Sequence, residues 1–203
     1  GRRVKMEIDQ NLVELLHRAA GSGEVVTEEP MSRHTTFRIG GPADYFVTPH
    51  TKEEIRQVIQ LCKAESLPFA VLGNGSNLLV GDKGFRGVVI QLFKNFSDIT
   101  IEEEDIYAQS GALLVRLANQ AAKQGLTGLE FASGIPGTLG GAVVMNAGAY
   151  GGEMKDVIFW SDVLTEDGEF LRLSGEELEL GYRTSVIQKK HYFEIGRASC
   201  RER

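Results

Sequence analysis

Across the eighteen positions from Gly134 to Gly151, six residues are glycine and three more are alanine. Such a run cannot furnish a core of its own. Residues this small bring backbone close to backbone, or to a ligand, where a larger side chain would stand in the way. A shorter run, Gly73-Asn74-Gly75-Ser76-Asn77-Leu78, sits between two apolar stretches. Glycine makes up 24 of 203 residues, above the usual ~7%, and the surplus is concentrated in these places. Two such loops suggest a long ligand lying across both.

The shorter run reads as strand, polar glycine turn and strand. Glycine lets consecutive N–H groups converge on an anion, and Ser76 and Asn77 add side-chain donors; a diphosphate cradle and a plain hairpin turn are both open readings. A dinucleotide fingerprint is excluded because the third glycine is missing and a strand follows. A P-loop is excluded because no Lys-Ser/Thr ends the run. In the longer run, Pro136-Gly137 marks a tight turn after Gly134 and Ile135. Thr138 is placed to cap a helix whose first N–H groups would form an anion site. Gly140, Gly141 and Ala142 would let that helix approach a flat ring or a neighbouring backbone, with tight helix–sheet packing as the alternative. The run continues through Asn146, Gly148, Ala149 and Tyr150. Further on, Gly181-Tyr182-Arg183-Thr184-Ser185 sets an arginine between a tyrosine and two hydroxyls. Its planar fork suits a carboxylate or a developing enolate; a surface ion pair is the competing reading.

Hydrophobic periodicity supplies the frame. It predicts helices over 9–20, from a Thr51/Glu54 capping box to Glu65, and over 113–124. Strands are predicted over 24–27, 44–48, 69–72, 78–80 and 87–92, with hairpins over 99–110 and 157–173 and a short helix over 175–180. The frame is an α+β fold in two lobes, 6–97 and 98–194, with one glycine loop contributed by each. Trp160 is expected in the core or at the seam between lobes.

The net charge of −6 argues against a nucleic-acid partner. No apolar run approaches the ~18 residues of a membrane helix, and no signal sequence opens the chain. Residues 1–5 precede a plausible start at Met6, and 195–203 turn abruptly basic, as a translated sequencing-adapter read-through does. Both ends are expected to be foreign to the natural chain, which would continue past Glu194. Cys200 goes with that tail. Cys62 then stands alone in a helical apolar pattern, a buried residue of a reducing, cytoplasmic environment. The histidines His17, His34, His50 and His191 have no metal spacing, the acidic run 102–105 reads as a solvated hairpin, and no metal site is expected. Arg33 and Arg38 are open between an anion contact and surface pairing.

Together the motifs resemble those of the UDP-N-acetylenolpyruvoylglucosamine reductase (MurB) family, flavoenzymes of bacterial cell-wall synthesis. The resemblance runs through His34-Thr35-Thr36-Phe37-Arg38-Ile39-Gly40-Gly41-Pro42-Ala43, the Gly73–Leu78 run, Gly128–Gly137, Met145–Tyr150 and Tyr182–Ser185. It implies a two-lobed FAD-binding domain of the vanillyl-alcohol-oxidase (PCMH) type, with the substrate-binding domain missing from this chain. It implies FAD held by Gly73–Leu78, Gly134–Gly137, Gly140, Gly141, Ala142, Asn146, Gly148 and Ala149, with NADPH as co-substrate and a UDP-sugar as substrate. Tyr182 and Arg183 would bind that substrate, and Arg183 would be catalytic, polarising its carboxylate. The flavin would be non-covalent, because the first glycine loop has no histidine. The family also uses a proton-donating serine in a later glycine-rich motif and a late glutamate. Neither motif occurs before Glu194, and Ser185 and Ser199 lie in the wrong context, so the expectation is a monomer that holds FAD without reductase turnover. The alternatives are another FAD-dependent sugar or alcohol oxidoreductase of this fold and a non-catalytic nucleotide-binding module.

Overall fold

The structure is a computed structural model that describes residues 8–201. Residues 1–5, expected to be foreign, lie outside the described residues. Contacts divide the chain into two compact units. The first holds the chain up to Ala70 together with Leu79–Gln91; the second holds Val71–Leu78 and everything from Leu92 onward. The division differs from the expected meeting point near residue 97. It also gives both glycine loops to the second unit, where one per lobe was expected.

The first unit opens with α1 (Gln10–Ala20), whose Asp9 cap accepts from the Asn11 and Leu12 amides. After it come β1 (Glu24–Pro30), β2 (Pro42–Thr48), α2 (Lys52–Ala64), β3 (Phe69–Leu72, whose last two residues are counted with the second unit) and β4 (Phe85–Gln91). The sheet order is β1-β2-β4-β3, with β1 antiparallel and β4 parallel to β2. Central β2 is buried from Ala43 to Val47 without alternation, as a strand covered on both faces must be. Helix α2 buries Ile55, Val58, Ile59 and Cys62 on one stripe. Burial pushes the Cys62 thiol up to about 12, in keeping with an inert, apolar role.

The capping box forms by half. Thr51 Oγ1 accepts from the Glu54 amide at 3.1 Å. The Glu54 carboxylate turns instead to Ser22, accepting from its hydroxyl at 2.7 Å and its amide at 3.0 Å. It thereby ties the loop after α1 to the start of α2. His34 contacts Glu29 at 2.9 Å and stacks on Phe46, a structural role, and Arg33 pairs with the same Glu29. The predicted strand 78–80 does not form. Among the described residues, neighbouring backbone is engaged only through Gly81, whose carbonyl accepts from the Gly41 and Gly84 amides, so no ladder develops.

The second unit contains β5 (Ile99–Glu102), β6 (Asp105–Gln109), α3 (Leu114–Lys123), α4 (Leu139–Met145), β7 (Gly148–Ala149), β8 (Gly152–Glu153), β9 (Ile158–Leu164), β10 (Phe170–Ser174), α5 (Val186–Lys189) and β11 (Phe193–Arg201). Five strands form a sheet in the order β10-β9-β11-β6-β5. The two predicted hairpins are present, and β11 joins them by pairing antiparallel with both β6 and β9. The basic stretch 195–201 thus enters the sheet. Its pairing with β9 slips between Glu194 and Ala198, while its pairing with β6 runs in register from Arg197 to Arg201. Helices α3 and α4 bury Leu114, Leu117, Leu139 and Val143 in the core. Gly125, at φ +73, closes α3 as predicted, with the Leu126 amide reaching back to Ala121.

The predicted helix over 175–180 is a turn. Ser174 and Glu177 exchange bonds as a capping box does, but Glu179 at φ +49 stops propagation after one turn. Trp160 is half-buried on the sheet surface, not in the core. The Arg172 guanidinium lies 3.6 Å from the centre of its ring and is forked onto Asp162 at 2.8 and 3.0 Å. No helix among the described residues is long and apolar enough to cross a membrane.

Candidate functional site

The second unit contains a cavity of about 1160 Å³. It exceeds the roughly 300–1,000 Å³ of most small-molecule sites, in keeping with a long ligand. Its wall includes Gly73–Leu78, Ile135–Thr138, Gly141, Ala142, Asn146–Asp156 apart from Met154 and Lys155, and Tyr182 and Arg183. Of the expected site residues, Gly134 and Gly140 are off this wall.

The two glycine loops are docked on each other. A Cβ on Gly73 would strike the Thr138 hydroxyl, and Asn74 Nδ2 donates to the Pro136 carbonyl at 3.4 Å. Thr138 takes the cap position of α4 but makes no side-chain cap bond. The first two amides of α4 are already used, Leu139 donating to Ala112 and Gly140 to Ser110, each at 2.8 Å. Two of the amides at the helix N-terminus are therefore spent within the protein.

The glycines sort by what a side chain would meet. A Cβ on Gly140 would come to 2.9 Å from Ser110 Cβ and Glu194 Oε2; one on Gly134 would come to 3.1 Å from the Tyr150 ring. Packing explains Gly140, whereas the Tyr150 ring beside Gly134 is 93% exposed and free to turn aside. A Cβ on Gly137 or Gly141 would meet nothing closer than 3.7 Å, and both residues line the cavity. Both leave room at the cavity wall where a side chain could stand. In the shorter loop, the amides of Gly75, Ser76 and Asn77 donate no hydrogen bond among the described residues. Gly75 is nonetheless buried, with φ +71. Three consecutive amides without a partner in the described chain are the kind of backbone that can converge on an anion.

The charged lining residues are Glu153, Asp156 and Arg183. Glu153 Oε2 accepts from Asn146, and the Glu153 amide donates to Asp156 Oδ2 at 3.1 Å. This reciprocal box was visible as a Glu-x-x-Asp spacing but was missed in the sequence. Arg183 makes no ion pair among the described residues; its guanidinium is 5.5 Å from the Tyr182 ring. Tyr182 is 87% exposed and Tyr150 93%, so both stand at the rim with their rings in solvent. Asn146 is different: it is only 5% exposed, with its side chain turned to protein partners. No group of three or more metal-ligating acidic, histidine or cysteine side chains occurs among the described residues.

Residues 43–174 match the family described as FAD binding domain. The chain is 54% identical over 186 residues to a UDP-N-acetylenolpyruvoylglucosamine reductase of Alkaliphilus metalliredigens, covering 92% of this chain and 61% of that protein. It is 50% identical over 183 residues to the protein of the same name from Clostridium botulinum strain Hall, covering 90% and 60%. Among solved structures, the UDP-N-acetylenolpyruvylglucosamine reductase (MurB) of Thermus caldophilus superposes with a TM-score of 0.73 at 38% identity, covering 89% of this chain and 62% of that one. The 6-hydroxy-D-nicotine oxidase of Arthrobacter nicotinovorans shares the fold, with a TM-score of 0.69 at 17% identity over 89% of this chain and 42% of its own. The chain spans about three-fifths of the length of the two reductases it matches in sequence.

Proposed function

This chain belongs to the FAD-binding domain family, of the vanillyl-alcohol-oxidase (PCMH) type, and from that premise we propose that its cavity holds FAD non-covalently within an enzyme that uses NADPH to reduce UDP-N-acetylglucosamine enolpyruvate to UDP-N-acetylmuramate, a step in making peptidoglycan precursors. The observation that carries the reading is the pairing of three orphan amides, Gly75 to Asn77, with a glycine wall that leaves room at Gly137 and Gly141. The amides suit the diphosphate, because backbone N–H groups stabilise an anion without a counter-charge. Leu78, Ile135, Pro136, Ala142, Gly148 and Ala149 complete the wall as small or apolar surface. FAD, when bound, supplies two-electron hydride chemistry.

Arg183 supplies the chain's own contribution to the reaction. Its guanidinium, free of carboxylate partners among the described residues, is suited to a substrate carboxylate, with Tyr182 beside it. Reducing the enolpyruvyl double bond builds negative charge next to that carboxylate. A fixed cation there lowers the barrier, and losing one such group costs about a hundredfold or more in rate.

Calorimetric titration with FAD tests the reading. One FAD per chain is expected, with the yellow absorbance of oxidised flavin; no uptake would overturn it. Gly141→Leu should weaken FAD about a hundredfold by occupying the wall, and undiminished affinity would put the cofactor elsewhere. A flavin spectral change on adding the UDP-sugar, and none with simple sugars or alcohols, separates this substrate class from other oxidoreductases of the fold.

A further inference from the structure

We infer that Asn146 is a positioning residue, whose side chain clamps the Tyr182-Arg183 turn to the helix lining the cavity. Asn146 ends α4 at φ 48 and ψ 55, a left-handed conformation that asparagine tolerates better than other side chains. The cap accounts for asparagine in the backbone. It does not account for what the side chain does.

Both amide protons of Asn146 are committed. Nδ2 donates to Glu153 Oε2 and to the Gly181 carbonyl, each at 3.0 Å, while Oδ1 accepts from the Lys155 amide at 2.8 Å. No donor is left for a ligand. The Gly181 carbonyl opens the turn: it also accepts from the Thr184 amide, and the Gly181 amide donates to the Thr184 carbonyl at 3.1 Å. At the other end, Ser185 Oγ donates to the Val144 carbonyl of α4 at 2.6 Å. Both ends of the turn are therefore tied to α4, whose Gly141, Ala142 and Met145 line the cavity. Between the ties, Arg183 has φ +51, which an arginine keeps only where its surroundings over-determine the backbone. The clamp holds that strained residue in one place relative to the cavity wall.

The catalytic meaning of the clamp rests on the proposed role of Arg183; the clamp itself is a property of the chain alone, and the two are tested separately. Asn146→Gly keeps the left-handed backbone without strain and removes only the side-chain bonds. Hydrogen exchange on the full chain without ligand should show the Thr184 amide exchanging about tenfold faster, with α3 and β9 unchanged. Unchanged protection at Thr184 would overturn the inference. Ser185→Ala, which leaves the cap of α4 alone, should loosen the same turn, and protection of the turn in both variants would also overturn it. In the FAD-loaded chain, the flavin spectral change induced by UDP-N-acetylglucosamine enolpyruvate should require about tenfold more substrate in Asn146→Gly. That loss should exceed any loss in FAD affinity, and it should largely vanish in an Arg183→Ala background. Equal losses of FAD and substrate affinity would make Asn146 a cofactor contact instead. If the unmodified chain takes up no FAD, the reading of the cavity fails and the exchange result alone decides the clamp.

Discussion

In the first unit, a Cβ on Gly41, Gly84 or Gly87 would overlap backbone carbonyls, those of Asp82, Pro42 and Pro68 respectively. In the second, a Cβ on Gly137 or Gly141 would meet only ordinary contacts at 3.7 Å. The same residue type answers to two different demands. At these three positions in the first unit the chain has to pass itself, and the fold fills the space. At these two positions in the second the space stays open, and both line the cavity. Glycine density in a sequence therefore does not by itself identify a ligand site.

Gly84→Ala tests the crowded side most severely. Gly84 combines φ +75 with backbone contact to Pro42, so an added methyl is both conformationally strained and blocked. The substitution should cost about 3 kcal/mol or more in denaturant unfolding. Stability within about 1 kcal/mol of the parent would mean that the crowding is soft and the contrast with Gly141 false.

A smaller effect belongs to Glu54, again in the first unit. Burial raises its carboxyl pKa, but the bonds from the Ser22 hydroxyl and amide and the His50 amide outweigh that and hold it below the ordinary value. A carboxylate depressed in the folded state stabilises fully above its unfolded pKa, and the stabilisation is lost as pH falls through the folded value. Glu54→Gln should cost about 1 kcal/mol at neutral pH and progressively less as pH falls through the folded carboxyl's own value. A cost that stays constant with pH would assign Glu54 a packing role.

How far the sequence could be read follows the same division between local and distant causes. Helices α1 to α3 and the two hairpins of the large sheet came from periodicity and turn residues, because their bonds join near neighbours. Glu54 was legible as a cap but not as a tie to Ser22, thirty-two residues away. The placing of β11 between β6 and β9 was invisible for the same reason. The strand expected over 78–80 failed because Leu-Leu-Val propensity cannot make a ladder without a partner edge. At the site, the sequence found the small-residue loops but could not separate Gly140, which packs on Ser110, from Gly141, which lines the cavity. Nor could it show that both protons of Asn146 are committed within the chain.

That neighbouring pair gives the finest test. Gly140 and Gly141 are consecutive in α4, share its helical backbone and differ only in what lies beyond the missing Cβ. Alanine favours helix over glycine by about 0.5–1 kcal/mol when the methyl has room. Gly141→Ala should therefore raise the stability of the FAD-free chain by about 0.5 kcal/mol, since the helix is short and the position is in its first turn. Gly140→Ala should lower stability, because its methyl would press on Ser110 Cβ and Glu194 Oε2 at 2.9 Å. Adding FAD turns the first result into a statement about the ligand. If the cofactor lies on Gly141, the methyl takes space from it, and the gain seen without FAD should shrink or reverse at saturating FAD, read as a smaller ligand-induced rise in melting temperature. If the gain persists unchanged with FAD, the open space at Gly141 is not where the cofactor sits.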